Sequence, residues 1–397
     1  MQAAPLSLKK HEERRLRQGH LWVFSNEVDV ARTPLSNFSP GQAVTIQGHD
    51  GRPLGSGYIN PNSLICARLV SRDPRQCLDR SLIVHRLNIA LALRQRRYRR
   101  PYYRLVYGES DALPGLVVDR FDDVLSVQLN TAGMEARKEE VVAALEKVLK
   151  PRAILLRNDS PARALEGLER YVESALGEAP ETAFVEENGA RFEAPLLSGQ
   201  KTGWYYDHRD NRARMQVYAR DARVLDLFSY IGAWGITAAL AGARRVTCLD
   251  ASSRALDQVQ RNAALNGVAD QVETLQGDAF DALKALRAER ARYDLIIVDP
   301  PAFIKRKKDI KEGIQAYRRL NQAALQLLGK DGILVSASCS YHLQRERFAE
   351  LLHQSARHLE RHWQILEQGH QGADHPVHPA IPESDYIKCL FGRAVLL

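Results

Sequence analysis

A cysteine and an aspartate stand where two neighbouring strands of a predicted sheet end. Asp299 precedes Pro300 and Pro301, and because proline cannot continue a central strand, the chain must turn there and leave the carboxylate at the sheet edge. Cys339 follows an apolar run and lies among hydroxyl residues. A thiolate is a strong nucleophile, and a nearby acid can stabilise charge that develops in the molecule it attacks. The pair therefore indicates covalent catalysis.

Methylation of cytosine at C5 needs both of these groups. Cytosine C5 is a poor nucleophile until another group adds at C6, which suits the Cys339 thiolate, while Asp299 beside N3 would stabilise the ring charge. A base must afterwards remove the C5 proton, and the sequence does not identify that base. A cysteine near a strand is more often buried packing, so the interpretation depends on the position of Cys339 at the strand end.

Acidic residues mark the ends of the preceding strands. Asp226 lies inside the first strand, before a turn through Phe228 to Gly232 that opens a helix. The second strand ends at Asp250, and Asp278 follows the third. Ligands of open α/β sheets bind beyond the carboxyl ends of the strands, so these residues are expected to line one pocket. Taken alone, Asp278 could equally be a helix cap.

The chemistry of this pocket favours S-adenosylmethionine as the cofactor. A carboxylate at Asp250 can accept both hydroxyl hydrogens of a ribose, and Asp278 is placed to meet an adenine edge. Folds that bind nicotinamide dinucleotides share the acid about 20 residues after the glycine turn. They also carry GxGxxG, whose backbone amides hold a pyrophosphate, whereas this turn has only Gly232 and Gly235. A ligand with ribose and adenine but no pyrophosphate fits better.

The surrounding elements predict an α/β protein with three domains. Residues 1–72 read as short strands and turns, which suggests a small β-barrel. Residues 73–190 hold an arginine-rich helix near 77–100 and a central α+β domain, where Asn188-Gly189 is a strong hairpin signal. From 191 to 397, strands alternate with helices, which is typical of a doubly wound parallel sheet.

The positive charge of the chain is regional. The formal net charge is +8, yet residues 1–106 hold 18 Lys and Arg against 7 Asp and Glu. The densest part, Arg72–Arg104, has ten arginines with Tyr98, Tyr102 and Tyr103 among them. Arginine forks suit phosphates and tyrosine rings stack on bases, which favours a polyanion-binding surface and RNA as its partner. A solvated helix face is the plainer alternative.

The N-terminal residues, the hydropathy and the cysteines argue against several classes of protein. The first residues carry charge and no apolar core of a secretory signal, and no apolar run approaches the ~20 residues that span a bilayer. The five cysteines are scattered and form no CxxC pair, so we expect neither disulfides nor a metal site. A soluble, cytoplasmic protein without a membrane partner is the expectation. The oligomeric state is open, and a homodimer is compatible with the sequence.

Six segments together resemble the RlmI (YccW) group of large-subunit ribosomal RNA 5-methylcytidine methyltransferases, over nearly the whole chain. They are Gly19–Phe24 (GHLWVF), Lys201–Arg212 (KTGWYYDHRDNR), Leu225–Gly232 (LDLFSYIG), Asp299–Phe303 (DPPAF), Ser338–Ser340 (SCS) and Gly372–Pro376 (GADHP). The resemblance implies an N-terminal PUA domain, a central α+β domain and a Rossmann-like class I methyltransferase domain. It also implies large-subunit (23S) RNA as the substrate.

The resemblance also implies roles for individual residues. Cys339 is the implied nucleophile, and Lys201, Tyr206 and Arg209 are implied cofactor contacts in the segment before the sheet. That segment could instead only pack on the sheet. The chain departs from the family pattern at His208, where Gln is usual, at Ala302, where Lys is common, and at Ala233, where a second glycine is frequent.

Two other functions stay open at this point. Related groups methylate guanine, and Asp-Pro-Pro motifs also serve exocyclic amines without a covalent step. A non-catalytic RNA-binding factor for ribosome assembly could retain the same fold. The acids at all four strand ends weigh against that second alternative, since an inactive site would tolerate their loss.

Overall fold

Two compact units, each built from separate stretches of chain, make up residues 3–397 in the computed structural model. The first unit runs to Ala183 and takes in Pro195–Tyr206 and Ala373–Ser384. The second comprises Phe184–Ala194, Asp207–Gly372 and Asp385–Leu397. The points at which the chain passes from one unit to the other differ from the domain boundaries predicted after residues 72 and 190. Those domain boundaries stay predictions. Within residues 3–397, no helix combines the length and apolarity needed to cross a membrane.

The N-terminal part of the first unit is a five-stranded sheet, as its strand-and-turn texture predicts. Its elements are β1 (Ala4–Ser7), α1 (Glu13–Arg17), β2 (Trp22–Phe24), β3 (Gln42–Gln47), β4 (Pro53–Ile59) and β5 (Ile65–Ser71). The strand order is β1-β3-β4-β5-β2, and only β1 and β3 pair in parallel. Alternate residues such as Val44 and Ile46 point into its core.

The rest of the first unit is the predicted α+β arrangement. After α2 (Arg80–Arg97), five strands form a sheet in the order β10-β9-β8-β7-β6. The elements are β6 (Tyr102–Tyr107), β7 (Leu116–Phe121), β8 (Val124–Leu129), α3 (Ala132–Glu135), α4 (Lys138–Leu149), β9 (Ala153–Asn158), α5 (Ala162–Leu165) and β10 (Tyr171–Leu176). The apolar sides of α2 and α4 pack into the core beside this sheet.

The second unit contains a hairpin and a seven-stranded sheet. The hairpin, β11 (Thr182–Glu187) and β12 (Ala190–Pro195), turns at Asn188-Gly189 as predicted. Then follow α6 (Arg209–Met215), β13 (Arg223–Leu227), α7 (Ala233–Leu240), β14 (Arg245–Asp250), α8 (Ser253–Leu265), β15 (Val272–Gln276), α9 (Ala279–Ala288), β16 (Tyr293–Val298), α10 (Ile310–Leu327), β17 (Leu328–Ser338), α11 (Arg345–His358), β18 (Arg361–Gly369) and β19 (Lys388–Leu396).

The order of this sheet is β15-β14-β13-β16-β17-β19-β18. The first five strands are parallel, which confirms the Rossmann-like α/β prediction for β13 to β17. β19 departs from the predicted parallel arrangement: it pairs antiparallel with both β17 and β18, so β18 runs in the same direction as the first five strands. The reason is connectivity: after β18 the chain returns through a loop rather than a crossover helix, so β19 runs back between β17 and β18.

Candidate active site

The turn after β13 brings backbone close to the carboxyl ends of the strands. Phe228, Tyr230 and Gly232 all have positive φ, at 62°, 49° and 85°. This conformation is uncommon for residues with a side chain and concentrates at functional sites. A Cβ on Gly235 would stand 2.5 Å from the Cys248 sulfur, so that glycine is required where α7 passes the sheet.

Asp226 is fully buried beneath this turn. One carboxylate oxygen accepts the Gly235 amide at 2.9 Å, and the other, Oδ1, has no hydrogen-bond partner. Burial, reinforced by the charges of Asp299 and Asp250, raises the pKa of Asp226 well above its ordinary value. The mutual influence of these three acids indicates that they converge on one region, as the sequence predicts.

The next two strand ends hold Asp250 and Asp278. The Asp250 carboxylate accepts the amides of Tyr230 and Ser252, both at 2.9 Å, and so ties the end of β14 to the positive-φ turn. Asp278 caps α9 by accepting the Phe280 amide at 2.8 Å. The cap alternative therefore accounts for one oxygen of Asp278, while its contact with adenine stays a prediction.

Asp299 is held by two aromatic neighbours that the sequence analysis did not assign to it. The Trp234 indole donates to Oδ2 at 3.0 Å, and the Nε2 atom of His208 lies 3.4 Å from Oδ1. The two rings also contact each other, with centroids 5.5 Å apart. His208, the departure from the family pattern, thus lies at the acid itself. A Trp in the first turn of α7 was the available signal.

Cys339 directly follows β17, and Asp299 directly follows the neighbouring strand β16. Because Val298 pairs with Ser336 across these strands, Asp299 and Cys339 lie at the same edge of the sheet. Ser338 and Ser340 flank the cysteine and are buried, and the Tyr317 hydroxyl of α10 contacts both of their side chains at 2.9 Å. The half-buried cysteine lies between two immobilised neighbours.

The other cysteines lie in different surroundings. Cys66, Cys248 and Cys389 are buried, and burial raises the pKa of each, to about 12 for Cys66 and well above the ordinary value for the other two. Cys77 is exposed and belongs to the first unit. Cys339 is half-buried at a strand end, and its role as a nucleophile stays a prediction.

The segment before the sheet is divided between the two units. In the first unit, Lys201 is exposed, while Tyr206 is buried and donates its hydroxyl to the Arg120 carbonyl at 2.9 Å. In the second, Arg209 is buried and pairs with Glu187 at 3.3 Å. Packing and ion pairing account for Tyr206 and Arg209, and cofactor contacts by all three residues stay predictions.

Only some of the arginines in the segment Arg72–Arg104 are exposed at the protein surface. Arg94 is fully buried and pairs with both oxygens of Asp111, while Arg104 does the same with Asp119. The prediction that Tyr102 and Tyr103 stack on bases is wrong, because both rings are buried in β6. The exposed arginines are Arg72, Arg75, Arg80, Arg96, Arg97, Arg99 and Arg100.

The strand-end residues fit S-adenosylmethionine. The unpartnered, buried Asp226 oxygen and the convergence of Asp226, Asp250 and Asp299 create a region that favours positive charge, and the cofactor carries a sulfonium and an ammonium group. Asp250 offers acceptors suited to a ribose diol. The strained turn from Phe228 to Gly232 is tied to Asp250 at the same edge by the Tyr230 amide.

Comparisons with known proteins agree with this description. Residues 6–72 match the family described as a PUA-like domain, and residues 103–369 match the S-adenosylmethionine-dependent methyltransferase family. Two solved structures share the fold: a Streptococcus mutans protein described as a SAM-dependent methyltransferase, and SMU.776, solved in complex with SAH. Each has a TM-score of 0.83 at 21% identity, covering 98% and 99% of this chain and all of the other.

Curated relatives extend the similarity along the whole chain. Ribosomal RNA large subunit methyltransferase I of Cronobacter sakazakii is 35% identical over 96% of this chain and 97% of its own. The protein of the same name from Erwinia tasmaniensis is 36% identical over 98% and 99%. The chain therefore belongs to the Ribosomal RNA large subunit methyltransferase I family of S-adenosylmethionine-dependent methyltransferases.

Proposed function

We propose that this protein methylates C5 of a cytidine in large-subunit ribosomal RNA through a covalent bond between Cys339 and C6. The observation that carries the proposal is the setting of Cys339: half-buried, beyond β17, between two fixed serines and on the strand next to Asp299. A cysteine kept only for packing would be expected inside the core, as Cys248 and Cys389 are. The names of the relatives support ribosomal RNA as the substrate.

The residues of this chain divide the reaction between them. The Cys339 thiolate forms a bond to C6 with its lone pair, and the C5–C6 π electrons shift to C5 and make it nucleophilic. Asp299, held by Trp234 and His208, would lie beside N3 and stabilise the altered charge of the ring. Its two aromatic neighbours fix the carboxylate before the substrate arrives, so little reorganisation is needed.

The Asp226 turn and Asp250 would hold S-adenosylmethionine, which supplies an electrophilic methyl group to C5 and would leave as S-adenosylhomocysteine. Once C5 carries that methyl group, a base removes the C5 proton, whose bonding electrons restore the C5–C6 double bond as the S–C6 bond breaks. Cys339 leaves as a thiolate and is ready for another turnover. The target base must leave its stack to reach the thiol, so a loop or single-stranded cytidine is the expected substrate.

RNA binding would come from the exposed arginines at the end of α2. Arg96, Arg97, Arg99 and Arg100 are exposed within five positions and provide positive charge for phosphates. Action on ribosomal RNA supports a cytoplasmic location, which belongs to the same proposal. We leave the oligomeric state, including a homodimer, as a prediction.

Methyl transfer to RNA from a strain that lacks the protein tests the proposal. Large-subunit RNA is incubated with the full-length protein and labelled cofactor, digested, and its methylated nucleoside identified. We expect 5-methylcytidine. Cys339→Ala should abolish transfer while cofactor and RNA binding stay near wild type, because the thiolate acts only along the reaction path. Cys77→Ala, which removes an exposed thiol from the first unit, is the matched control and should remain active.

RNA with 5-fluorocytidine at the target position tests the covalent step directly. Fluorine at C5 leaves no proton to remove, so the enzyme should stall as a protein–RNA adduct that survives denaturation. The adduct should require both cofactor and Cys339. A methylated guanine as product, together with an active Cys339→Ala variant, would replace the proposal by guanine methylation without a covalent step. A protein that binds RNA but not labelled cofactor would instead be an assembly factor.

A further inference from the structure

Lys388 is a buried lysine at the start of β19, directly opposite Ser338 in the antiparallel pairing with β17. Its ammonium nitrogen donates to the Ser340 carbonyl oxygen at 2.6 Å and to the Tyr386 carbonyl oxygen at 2.9 Å. Lys388 thus pairs in register with Ser338, the residue before Cys339, and its ammonium group bonds to Ser340, the residue after it. Lysine is rarely buried without a specific partner.

The contacts made by Lys388 are unusual because both acceptors are neutral carbonyls. A surface position would let the ammonium group be hydrated, whereas here only 5% of the residue is exposed. Two carbonyl bonds offset part of the cost of removing a charge from water, and a nearby anion would offset more. The Cys339 thiolate is such an anion, because it acts to raise the pKa of Lys388.

Charged groups on neighbouring elements also act on this lysine. Asp385, exposed on the loop before β19, favours the ammonium form, and Arg345 of α11 opposes it. Tyr317 of α10 contacts the two serines that flank Cys339, and Asp299 follows the neighbouring strand β16. Burial outweighs these charges and lowers the pKa of Lys388 to about 8, so the amine is mainly protonated at neutral pH.

We propose that Lys388 is a positioning residue that fixes the Cys339 segment and stabilises the thiolate form of Cys339 with its positive charge. The inference rests on the proposed function in that it takes Cys339 as the nucleophile. A thiolate beside a cation in a partly dehydrated site is favoured over the neutral thiol, as in other proteins with reactive cysteines. The bond from Lys388 to the Ser340 carbonyl adds a fixed anchor on the strand side, opposite the Tyr317 hydroxyl on the helix side.

The pH dependence of thiol alkylation tests this role without any RNA. In a Cys77→Ser background, Cys339 is the one cysteine of the chain that is not buried. Iodoacetamide is neutral and reports the thiolate fraction. Lys388→Met removes the charge and keeps the length of the side chain, so the midpoint of the rate–pH profile should rise by about one pH unit or more. Lys388→Arg keeps the charge and should stay closer to the background.

Lys330→Met is the matched control, because it neutralises an exposed lysine at the other end of β17. Its alkylation profile should overlay that of the background. A Lys388→Met protein that binds S-adenosylmethionine normally yet shows an unshifted profile would overturn the inference.

A second measurement leaves Lys388 in place and covers the case of a Lys388→Met protein that does not fold. In protein labelled with 13C at lysine Cε, the titration of Lys388 is followed by NMR in the wild type and in Cys339→Ala. Electrostatic coupling is reciprocal, so removal of the thiolate should lower the titration midpoint of Lys388. An unchanged midpoint would refute the coupling.

Failure of this inference is distinguishable from failure of the proposed function. With Lys388→Met, kcat for RNA methylation should fall at least tenfold while the KM for RNA stays within twofold. If 5-fluorocytidine adducts form but the alkylation profile of Cys339 is the same with and without Lys388, only the role assigned to Lys388 is wrong. If thiol reactivity depends on Lys388 but the product is a methylated guanine, the proposed function is wrong and the coupling between the two groups stands.

Discussion

Tyr317→Phe tests whether the fixed setting of Cys339 matters for catalysis. The hydroxyl of this fully buried tyrosine contacts Ser338 Oγ and Ser340 Oγ, each at 2.9 Å. Without it, Ser338 still accepts the Ser340 amide at 3.2 Å, and Ser340 still accepts the Ile304 amide at 3.1 Å. Each serine keeps the backbone bond that it accepts, while the Ser338 hydroxyl loses its acceptor. The loss of two hydrogen bonds of about 1 kcal/mol each should lower the free energy of unfolding by about 2 kcal/mol or more.

A change of about 2 kcal/mol should lower the melting temperature by roughly 4–8 °C for a unit of this size. Calorimetry measures that shift, and methyl transfer to RNA gives kcat and KM. We expect kcat to fall at least about tenfold with little change in the KM for RNA, because a misplacement of about 1 Å can cost about 10²-fold in rate. The rate of Cys339 alkylation should change as well.

Tyr58→Phe separates the local effect from a general loss of stability. Tyr58 is also a buried tyrosine with two hydroxyl contacts, to Pro114 O at 2.8 Å and Thr131 Oγ1 at 2.9 Å, but it belongs to the first unit. Its loss should lower the melting temperature similarly and leave kcat and alkylation unchanged. If Tyr317→Phe lowers stability and yet keeps wild-type kcat, the reasoning about a fixed nucleophile is wrong.

Three more predictions concern the cofactor pocket and the RNA surface. Asp250→Asn should weaken S-adenosylmethionine binding about tenfold or more by calorimetry, because a charge-assisted bond to a hydroxyl is worth roughly 1.5–3 kcal/mol; unchanged affinity would mean that Asp250 does not hold the ribose. The pKa of Asp226 is raised in the folded state, so folding takes up protons and stability falls as pH rises from the ordinary aspartate range toward that raised pKa. Asp226→Asn should therefore melt higher than wild type at pH 8 and lose that advantage near pH 4, and parallel melting curves across this range would contradict the shift. Replacing the four exposed arginines of Arg96–Arg100 by Gln should make the slope of log K for RNA against log salt shallower by about 3, at ~0.7–0.9 per lost phosphate contact. An unaltered slope would show that RNA binds to another surface.

The local sequence pattern was sufficient to predict the α/β core and the residues at the ends of its strands. Parallel strands such as β13 and β16 are buried except for one residue near the start of each, so their apolar runs are visible in the sequence. Chain direction alone places their carboxyl ends at one edge. Asp226, Asp250, Asp299 and Cys339 could be chosen for this reason. The Asn188-Gly189 hairpin is equally local, since its turn conformation depends on two residues.

Contacts between distant segments were decided only by the tertiary structure. The register of β17 with β19 brings Lys388 to Ser338 and Ser340, about 50 positions apart in the chain. No short-range pattern encodes an antiparallel strand that returns through a loop and inserts between two others. The same holds for Tyr317, whose hydroxyl reaches the cysteine segment from α10. The arginine-rich segment shows the limit most plainly. Arg94 and Arg96 are alike in the sequence, yet helix geometry turns Arg94 inward to Asp111 and leaves Arg96 exposed, because residues two apart on a helix face different sides.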